Sequence, residues 1–322
     1  MAGRAQKRGS GQRSPVPAER VAVLRILVGA YVVAWSLARL PEHLTSAGQP
    51  DHRWQPVGVW ALSDGPPARA AVVALAVATP VLGLLFAAGR WFRVAGPACA
   101  VALLALATLD SSWGQVFHTE NLVVLHVGIL ALAPGVADAL VLGGRRQREG
   151  SGGYGWPVRL CAVVVVLAYV VSGVAKLRGE GLGWASGDAL RNLVAYDNLR
   201  KQLLGDTYSP LGRRLSSQGW AFPPMAVATL AVELGAGVAL LGGRWRTGWV
   251  AAAYLFHVGV LLLMAIVFPY QLSGVAFASF LPLERLPERL RRRARSPGPL
   301  VHPDRRASHS DQGPAVSGPP TG

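Results

Sequence analysis

The sequence predicts an all-α protein, built as a polytopic bundle of transmembrane helices. Hydrophobic residues make up 51% of the 322 residues and charged residues only 15%, with a mean hydropathy of +0.33. Soluble domains are typically about 25% charged. The apolar residues form long runs, and the basic residues lie mainly in the termini and in the short segments between those runs. This pattern is typical of a membrane protein.

Eight apolar runs approach the length of a membrane span. A helix needs about 20 apolar residues to cross a bilayer core of about 30 Å. The third and eighth runs are short, and only Phe268, Pro269 and Tyr270 separate the last two, so seven spans or a re-entrant final segment stay open. The runs cover residues 20–40, 68–88, 94–109, 121–142, 157–177, 223–241, 247–267 and 268–283.

The distribution of arginine predicts which side of the membrane each loop faces. Cytoplasmic loops carry an excess of Lys and Arg. The turn at residues 110–120 has neither, which predicts that it faces outward. Eight spans with both termini cytoplasmic place the arginines of the short loops inside. Those arginines are Arg90, Arg93, Arg145, Arg146, Arg148, Arg244 and Arg246.

The chain divides into a membrane domain and two basic tails. A tail at residues 1–19 precedes the membrane domain, which covers residues 20–283. The tail at residues 284–322 is rich in Pro, Gly, Ser and Arg and is predicted to be disordered, because it cannot bury a core. The outer connections 41–67 and 178–222 are long enough to have structure of their own. Within the second, residues 186–204 are predicted to form an amphipathic surface helix.

The charge pattern also indicates classes of partner. The formal net charge is +15, yet no recognised nucleic-acid motif accompanies it, so nucleic acid is not an expected partner. Basic clusters beside a membrane contact anionic lipid headgroups, which makes the bilayer the expected partner. A protein partner cannot be named from the sequence. High arginine with low lysine favours a bacterial plasma membrane. Cys99 and Cys161 lie in apolar runs, without zinc-type Cys/His spacing, so no metal site is expected.

Five ionisable residues stand out within the predicted spans: Arg25, His126, Lys176, Glu233 and His257. Each is a functional-site hypothesis, because an unpaired charge in the bilayer is costly. Arg25 lies one turn into the first helix and is predicted to anchor that end by snorkelling to the headgroups. Glu233 and His257 fall near the middle of adjacent helices. They are predicted to form either a structural pair or a proton relay.

Lys176 is the most informative of the five. Tyr169, Ser172, Gly173 and Lys176 follow a spacing of i, i+3, i+4 and i+7, which places them on one helix face. The chain has only three lysines among 32 basic residues. An amine can lose its proton whereas a guanidinium cannot, so Lys176 is a candidate general base. The alternative is that Lys176 ends its helix, where it caps carbonyls and snorkels outward.

Residues 169–177 carry the pattern Tyr-x-x-Ser-Gly-x-x-Lys-Leu, which resembles the HTTM membrane proteins. That family includes vitamin K-dependent gamma-carboxylase. The resemblance covers residues 20–283, and its other matches follow in chain order. They are Leu24, Arg25, Ile26, Gly29, His118, Asn121, Pro134, Asp138, Trp184, Gly187, Glu233, Phe256 and His257.

The resemblance implies that Lys176 is a base which deprotonates a reduced quinone of the vitamin K or menaquinol type on the non-cytoplasmic side. It also implies that His118 stabilises developing negative charge, with Asn121 and His126 as alternative matches. The carboxylase has a large non-cytoplasmic domain after its membrane part, whereas this chain has a basic tail. This difference disfavours peptide carboxylation, and both a carboxylase-like reaction and quinol epoxidation alone stay open. Further residues of the expected pocket or relay are Tyr169, Ser172, Trp184, Glu233 and His257.

A non-enzymatic bundle, acting in transport, interaction or immunity, is the competing function class. Glu233 and His257 favour it, because ionisable residues inside spans also occur in proton relays and in contacts between helices. A transporter typically contains internal repeats, and the two halves of this sequence have no evident similarity.

Overall fold

The computed structural model of the protein describes residues 16–46, 48–142 and 153–287, and all regular structure in these ranges is helical. The prediction of an all-α protein is confirmed. Short 3-10 helices extend or connect the α-helices. The α-helices are α1 (Ala18–Ala38), α2 (Leu40–Ser46), α3 (Arg69–Ala88), α4 (Phe92–Asp110), α5 (Asn121–Ala131), α6 (Gly155–Glu180), α7 (Asp188–Leu203), α8 (Pro210–Ser216), α9 (Phe222–Leu234), α10 (Gly243–Met264) and α11 (Pro269–Leu272).

In the described part of the chain, six helical segments are long and apolar enough to cross a membrane, so the chain is a multi-pass helical bundle. They are α1, α3, α4, α6 with the 3-10 helix that follows it, α9 with its flanking 3-10 turns, and α10. Their positions match six of the eight predicted runs. The helices pack in chain order, because α1 contacts α3, α3 contacts α4, α4 contacts α5 and α5 contacts α6.

The fourth and eighth predicted runs contain broken helices. In the fourth run α5 has 11 residues and is followed by the 3-10 helix Pro134–Ala137. In the eighth run α11 has four residues and leads into the 3-10 helix Val275–Phe280. Residues 276–280 are buried, and irregular backbone is tolerated at membrane depth where protein covers it. Proline and glycine in both runs explain the breaks. The number of crossings stays a prediction.

The prediction that Arg25 snorkels to the headgroups is wrong. Its side chain is fully buried, and the guanidinium donates hydrogen bonds to the main-chain carbonyls of Ala87, Val136, Ala139 and Leu140. These carbonyls lie near the end of α3 and in the segment after α5. Arg25 is therefore structural in a different way, because it satisfies backbone groups where regular helices end.

The connection at residues 178–222, predicted to lie outside, contains the predicted amphipathic helix, which is α7. Side chains of this connection cap the end of α10. The Lys201 Nζ donates to Met264 O at 2.6 Å, and the Asn198 Nδ2 donates to Leu263 O at 2.8 Å. The Ser209 Oγ donates to a third carbonyl of α10. The last carbonyls of a helix lack intrahelical partners, so these bonds fix the C-terminal end of α10.

We expect Lys201→Met to lower the free energy of unfolding by about 1.5–3 kcal/mol, the contribution of a hydrogen bond to a charged group. The substitution removes the bond to Met264 and the 2.9 Å ion pair with Asp197. Equilibrium unfolding in detergent micelles measures the change. Arg200→Met is the matched control, because Arg200 is more exposed and its 3.4 Å pair with Asp197 is worth only about 0–1 kcal/mol. Equal losses in both variants would contradict the capping role.

The chain separates into two compact units, Met1–Glu284 and Arg285–Gly322. The helices above belong to the first unit. Of the second unit the structure describes residues 285–287, which form a helical turn. Most of the two predicted tails, and the predicted inner loop with Arg145, Arg146 and Arg148, lie outside the described residues.

Candidate functional site

Lys176 forms a polar triangle with one side chain of its own helix and one of α9. Its Nζ donates to Glu233 Oε1 at 2.5 Å and to Ser172 Oγ at 3.1 Å. The Ser172 hydroxyl in turn donates to the same Glu233 oxygen at 3.0 Å. Ser172 and Lys176 are one helical turn apart on α6, as the sequence spacing predicted. The result is a charge pair with a hydroxyl between its two helices.

Gly173 allows α6 and α9 to come close enough for this contact. A Cβ atom at position 173 would lie 2.8 Å from Leu234 Cδ2 and 3.0 Å from Glu233 Cβ. Any larger residue would push the two helices apart. Small residues commonly line the contacts between membrane helices, because they let the backbones approach closely. Gly173 therefore explains why Glu233 reaches Lys176.

The charge pair is buried unevenly. The Glu233 side chain is only 2% exposed, whereas the Lys176 side chain is 21% exposed. The second Glu233 oxygen, Oε2, has no hydrogen-bond partner among the described residues. A buried carboxylate oxygen without a partner is costly unless a proton or a ligand satisfies it. The site thus has one open acceptor and one partly accessible amine.

Trp184 covers the lysine. It lies in the 3-10 helix Gly181–Ser186, directly after α6, and the Lys176 Nζ is 5.5 Å from the centroid of its ring. Trp184 is buried, and its indole Nε1 has no partner among the described residues. Because the ammonium bonds Glu233 and Ser172, the prediction that Lys176 snorkels outward or caps the carbonyls of α6 is wrong.

Tyr169 and His257 form a second contact along the same face of α6. The Tyr169 hydroxyl and His257 Nε2 are 2.8 Å apart, and both residues are buried. The prediction that Glu233 pairs with His257 is wrong, since Glu233 pairs with Lys176. A carboxylate accepts a stronger hydrogen bond from a charged donor than from a neutral one, which explains why Glu233 pairs with Lys176. His257 Nδ1 has no partner among the described residues.

His118 lies near His257, with one aromatic ring between them. The His118 ring centroid is 5.7 Å from that of Phe268, and the Phe268 ring is 4.8 Å from His257. His118 is exposed, as is Asn121, the first residue of α5. The Asn121 backbone N–H donates to the His118 carbonyl at 3.3 Å. His118 can therefore approach a ligand beside Phe268 without breaking a side-chain hydrogen bond.

His126 belongs to the core instead. It is fully buried, with Nδ1 2.6 Å from the Tyr270 hydroxyl and Nε2 3.2 Å from the Cys161 carbonyl. A carbonyl can only accept, so Nε2 carries the proton and Nδ1 accepts from Tyr270. Both ring nitrogens are used, and His126 does not face the outer connection. It joins α5, α6 and α11.

A second buried polar cluster was missed by the sequence analysis. His43 is fully buried with Nδ1 3.0 Å from Asp110 Oδ1, and Arg39 lies 3.4 Å from Asp110 Oδ2 and 3.7 Å from Glu120 Oε1. A cavity of about 380 Å³ adjoins it. His43, Asp110 and Glu120 lie just outside the apolar runs and Arg39 lies at the end of the first run, so a search for ionisable groups deep inside the spans does not find them. The i, i+4 spacing of Arg39 and His43 was the available signal.

The main site combines a buried carboxylate, a partly accessible amine, a hydroxyl and several aromatic rings at one end of α6 and α9. Such a group can take up a proton from a ligand and hold the resulting anion beside an ammonium. Comparisons of this chain with family models, with curated proteins and with solved structures found no match.

Proposed function

We propose that this membrane protein is an HTTM-like enzyme which deprotonates a reduced quinone, with the Lys176–Glu233 pair as the base. The observation that carries the proposal is the hydrogen-bonded triangle of Lys176, Glu233 and Ser172, in which the amine is partly accessible and one carboxylate oxygen is open. The arginine pattern predicts that this end of α6 faces the non-cytoplasmic side.

The proton balance works for the pair as a whole. If Lys176 begins as an ammonium and Glu233 as a carboxylate, the quinol proton goes to Glu233. If the pair begins as a neutral amine and a carboxylic acid, the proton goes to Lys176. Both routes end with a protonated Glu233 and an ammonium beside the quinol anion. The base therefore works from either starting state, and the ammonium stabilises the anion that forms.

The side chains of the pair, and of the Tyr169–His257 contact on the same face of α6, suit a flat, partly polar ligand. Glu233 Oε2 and His257 Nδ1 are buried atoms without partners among the described residues, and a quinol hydroxyl could bond either one. Trp184 and Phe268 offer ring faces and edges. Dissolved oxygen would be the oxidant, since quinol and O₂ give quinone epoxide and water. His118 would add a hydrogen bond to the anion.

Epoxide formation by the purified, lipid-reconstituted protein tests the proposal. We expect wild type to convert reduced vitamin K or menaquinol in oxygenated buffer. Lys176→Ala and Glu233→Gln should each lose activity by about 100-fold or more, the usual contribution of a general base. Lys176→Arg distinguishes the two starting states, because a guanidinium stays protonated and activity then survives only if Glu233 takes the quinol proton. Lys201→Arg is the control, because Lys201 is also buried and ion-paired but lies outside the site.

The absence of epoxide from folded wild type across several quinols would contradict the proposal. The second candidate is then a non-enzymatic bundle. The observation that favours it is that the same contacts connect helices. Lys176–Glu233 joins α6 to α9, and Tyr169–His257 joins α6 to α10. If the non-enzymatic bundle is a proton-coupled transporter, transport into proteoliposomes should depend on Glu233 or His257.

A further inference from the structure

Three arginines line one cavity at the opposite end of the bundle from Lys176. Arg20 comes from α1, Arg159 from α6 and Arg246 from α10, and the cavity has a volume of about 350 Å³. Each arginine lies within the first turns of its helix. The arginine pattern of the sequence predicts that this end faces the cytoplasm.

The cavity has an excess of positive charge. The carboxylate of Glu284 faces Arg20, but its Oε2 lies 3.8 Å from Arg20 Nε, beyond hydrogen-bond distance. Arg20 and Arg246 each donate one long hydrogen bond of 3.4 Å to a main-chain carbonyl. Arg159 is exposed and has no hydrogen-bond or ion-pair partner among the described residues. A guanidinium has five N–H donors, so most donors here are available to an anion.

Two buried polar groups of the cavity also lack partners. Ser279 is 3% exposed, lines the cavity and has no partner for its hydroxyl among the described residues. The buried Nε of Arg20 likewise makes no hydrogen bond there. Buried donors without partners are rare in folded proteins and mark places where a ligand or water binds. Both groups would be satisfied by an anion with several oxygens.

Helix N-termini add to the attraction for an anion. Val16, just before α1, and Gly155, the first residue of α6, both line the cavity. Neither helix has a side-chain cap at its N-terminus. The first N–H groups of a helix have no intrahelical partners, and the helix dipole places partial positive charge there. Phosphate groups are favoured ligands at such ends.

The rest of the cavity wall is apolar. It includes Val158, Ala162, Val163 and Leu240, and Leu240 is 48% exposed on the surface of the bundle. The polar part lies where apolar helices begin, which is the depth of lipid headgroups in a bilayer. We infer that this cavity binds the phosphate of an anionic phospholipid, with the arginines and Ser279 on the phosphate and the apolar wall beside the acyl chains.

Native mass spectrometry of the detergent-purified protein with added phosphatidylglycerol or phosphatidylcholine tests this inference. We expect wild type to retain one phosphatidylglycerol and to prefer it over phosphatidylcholine. The triple variant Arg20→Gln, Arg159→Gln and Arg246→Gln should weaken phosphatidylglycerol binding by about 10-fold or more. Equal retention of both lipids by wild type would overturn the inference.

A matched control separates the cavity from general charge. The control triple variant is Arg90→Gln, Arg93→Gln and Arg244→Gln, which removes the same charge from exposed arginines predicted to lie at the same end but outside the cavity. It should retain the lipid as wild type does. A loss equal to that of the cavity triple variant would overturn the inference, because non-specific attraction would then explain the binding.

Two further arms keep the test decisive. Ser279→Ala and Arg159→Gln alone disturb little of the fold, so they replace the triple variant if it does not fold, and each should weaken lipid binding by about threefold. Inorganic phosphate at millimolar concentration should compete only weakly, because it lacks acyl chains to contact the apolar wall. If phosphate displaces the lipid completely at equal concentration, the site binds free phosphate and the lipid assignment is wrong.

Discussion

Replacing Lys176 by Met while leaving Glu233 in place is expected to lower the free energy of unfolding by about 3–5 kcal/mol, the cost of removing one partner of a buried ion pair. Glu233 is 2% exposed, and its carboxylate would lose both the 2.5 Å bond from Nζ and the only opposite charge that contacts it among the described residues. The Ser172 hydroxyl alone cannot replace an ammonium. Glu233→Met should cost a similar amount, because it leaves the ammonium unpaired.

The double variant Lys176→Met and Glu233→Met is expected to recover most of this loss. Apolar residues of similar size often replace a buried ion pair without cost, since they remove the desolvation of two charges. Equilibrium unfolding in detergent micelles of wild type, both single variants and the double variant forms a double-mutant cycle. The coupling energy should be about 5 kcal/mol or more, because the two single losses together far exceed the small loss of the double variant. Single variants that each cost under about 1 kcal/mol would contradict a buried pair.

The same double variant separates stability from chemistry. It should fold about as well as wild type and yet form no quinone epoxide, because it has neither group of the proposed base. A stable double variant with wild-type epoxide formation would remove Lys176 and Glu233 from the mechanism. A helix-joining role for the pair would still stand, since that role depends on the coupling energy alone.

The sequence predicted the face of α6 but not its partners. Tyr169, Ser172 and Lys176 share a face because the helix period determines it locally. The partner of Lys176 lies 57 residues away, and His257 on another helix was an equally plausible partner for Glu233. Hydropathy identifies membrane helices without giving their order around a bundle. Such pairings depend on close contacts between helices, which here required Gly173.

The broken helices show a second limit. The run at residues 121–142 is apolar throughout and long enough to span, so run length predicted one continuous helix. The chain leaves the helix after Ala131, and the carbonyls of Val136, Ala139 and Leu140 then need donors. Arg25 supplies them from more than 100 residues away. Its depth suggested snorkelling, because the sequence does not show which backbone groups lack partners.

Replacing Arg25 by Met is therefore expected to lower the free energy of unfolding by about 4 kcal/mol or more, which is at the upper end for a single substitution. The guanidinium bonds Val136 O and Leu140 O at 2.7 Å each, and Ala87 O and Ala139 O at 3.2 and 3.3 Å. A hydrogen bond to a charged group is worth about 1.5–3 kcal/mol, and the buried carbonyls would lose theirs without access to water. Leu140 also has a φ of +52°, a strained value that its bond to Arg25 helps to hold.

Arg25→Lys and Gly89→Ala test whether the planar group, and not only its charge, is required. An ammonium is a compact charge that cannot span carbonyls from two segments, so Arg25→Lys should recover less than half of the loss. A Cβ at position 89 would lie 2.8 Å from Arg25 Nη1, at a φ of +69° that favours glycine, so Gly89→Ala should destabilise by displacing the guanidinium.

Unfolding in detergent micelles gives the comparison, with Arg93→Met as the control. Arg93 is exposed near the start of α4, and its loss should change the free energy of unfolding by less than about 0.5 kcal/mol. If Arg25→Lys were as stable as wild type, charge alone would hold the segment after α5. If Arg25→Met cost no more than Arg93→Met, the four carbonyl bonds would contribute nothing. The ordered break after α5 would then depend on its apolar packing against α1 instead.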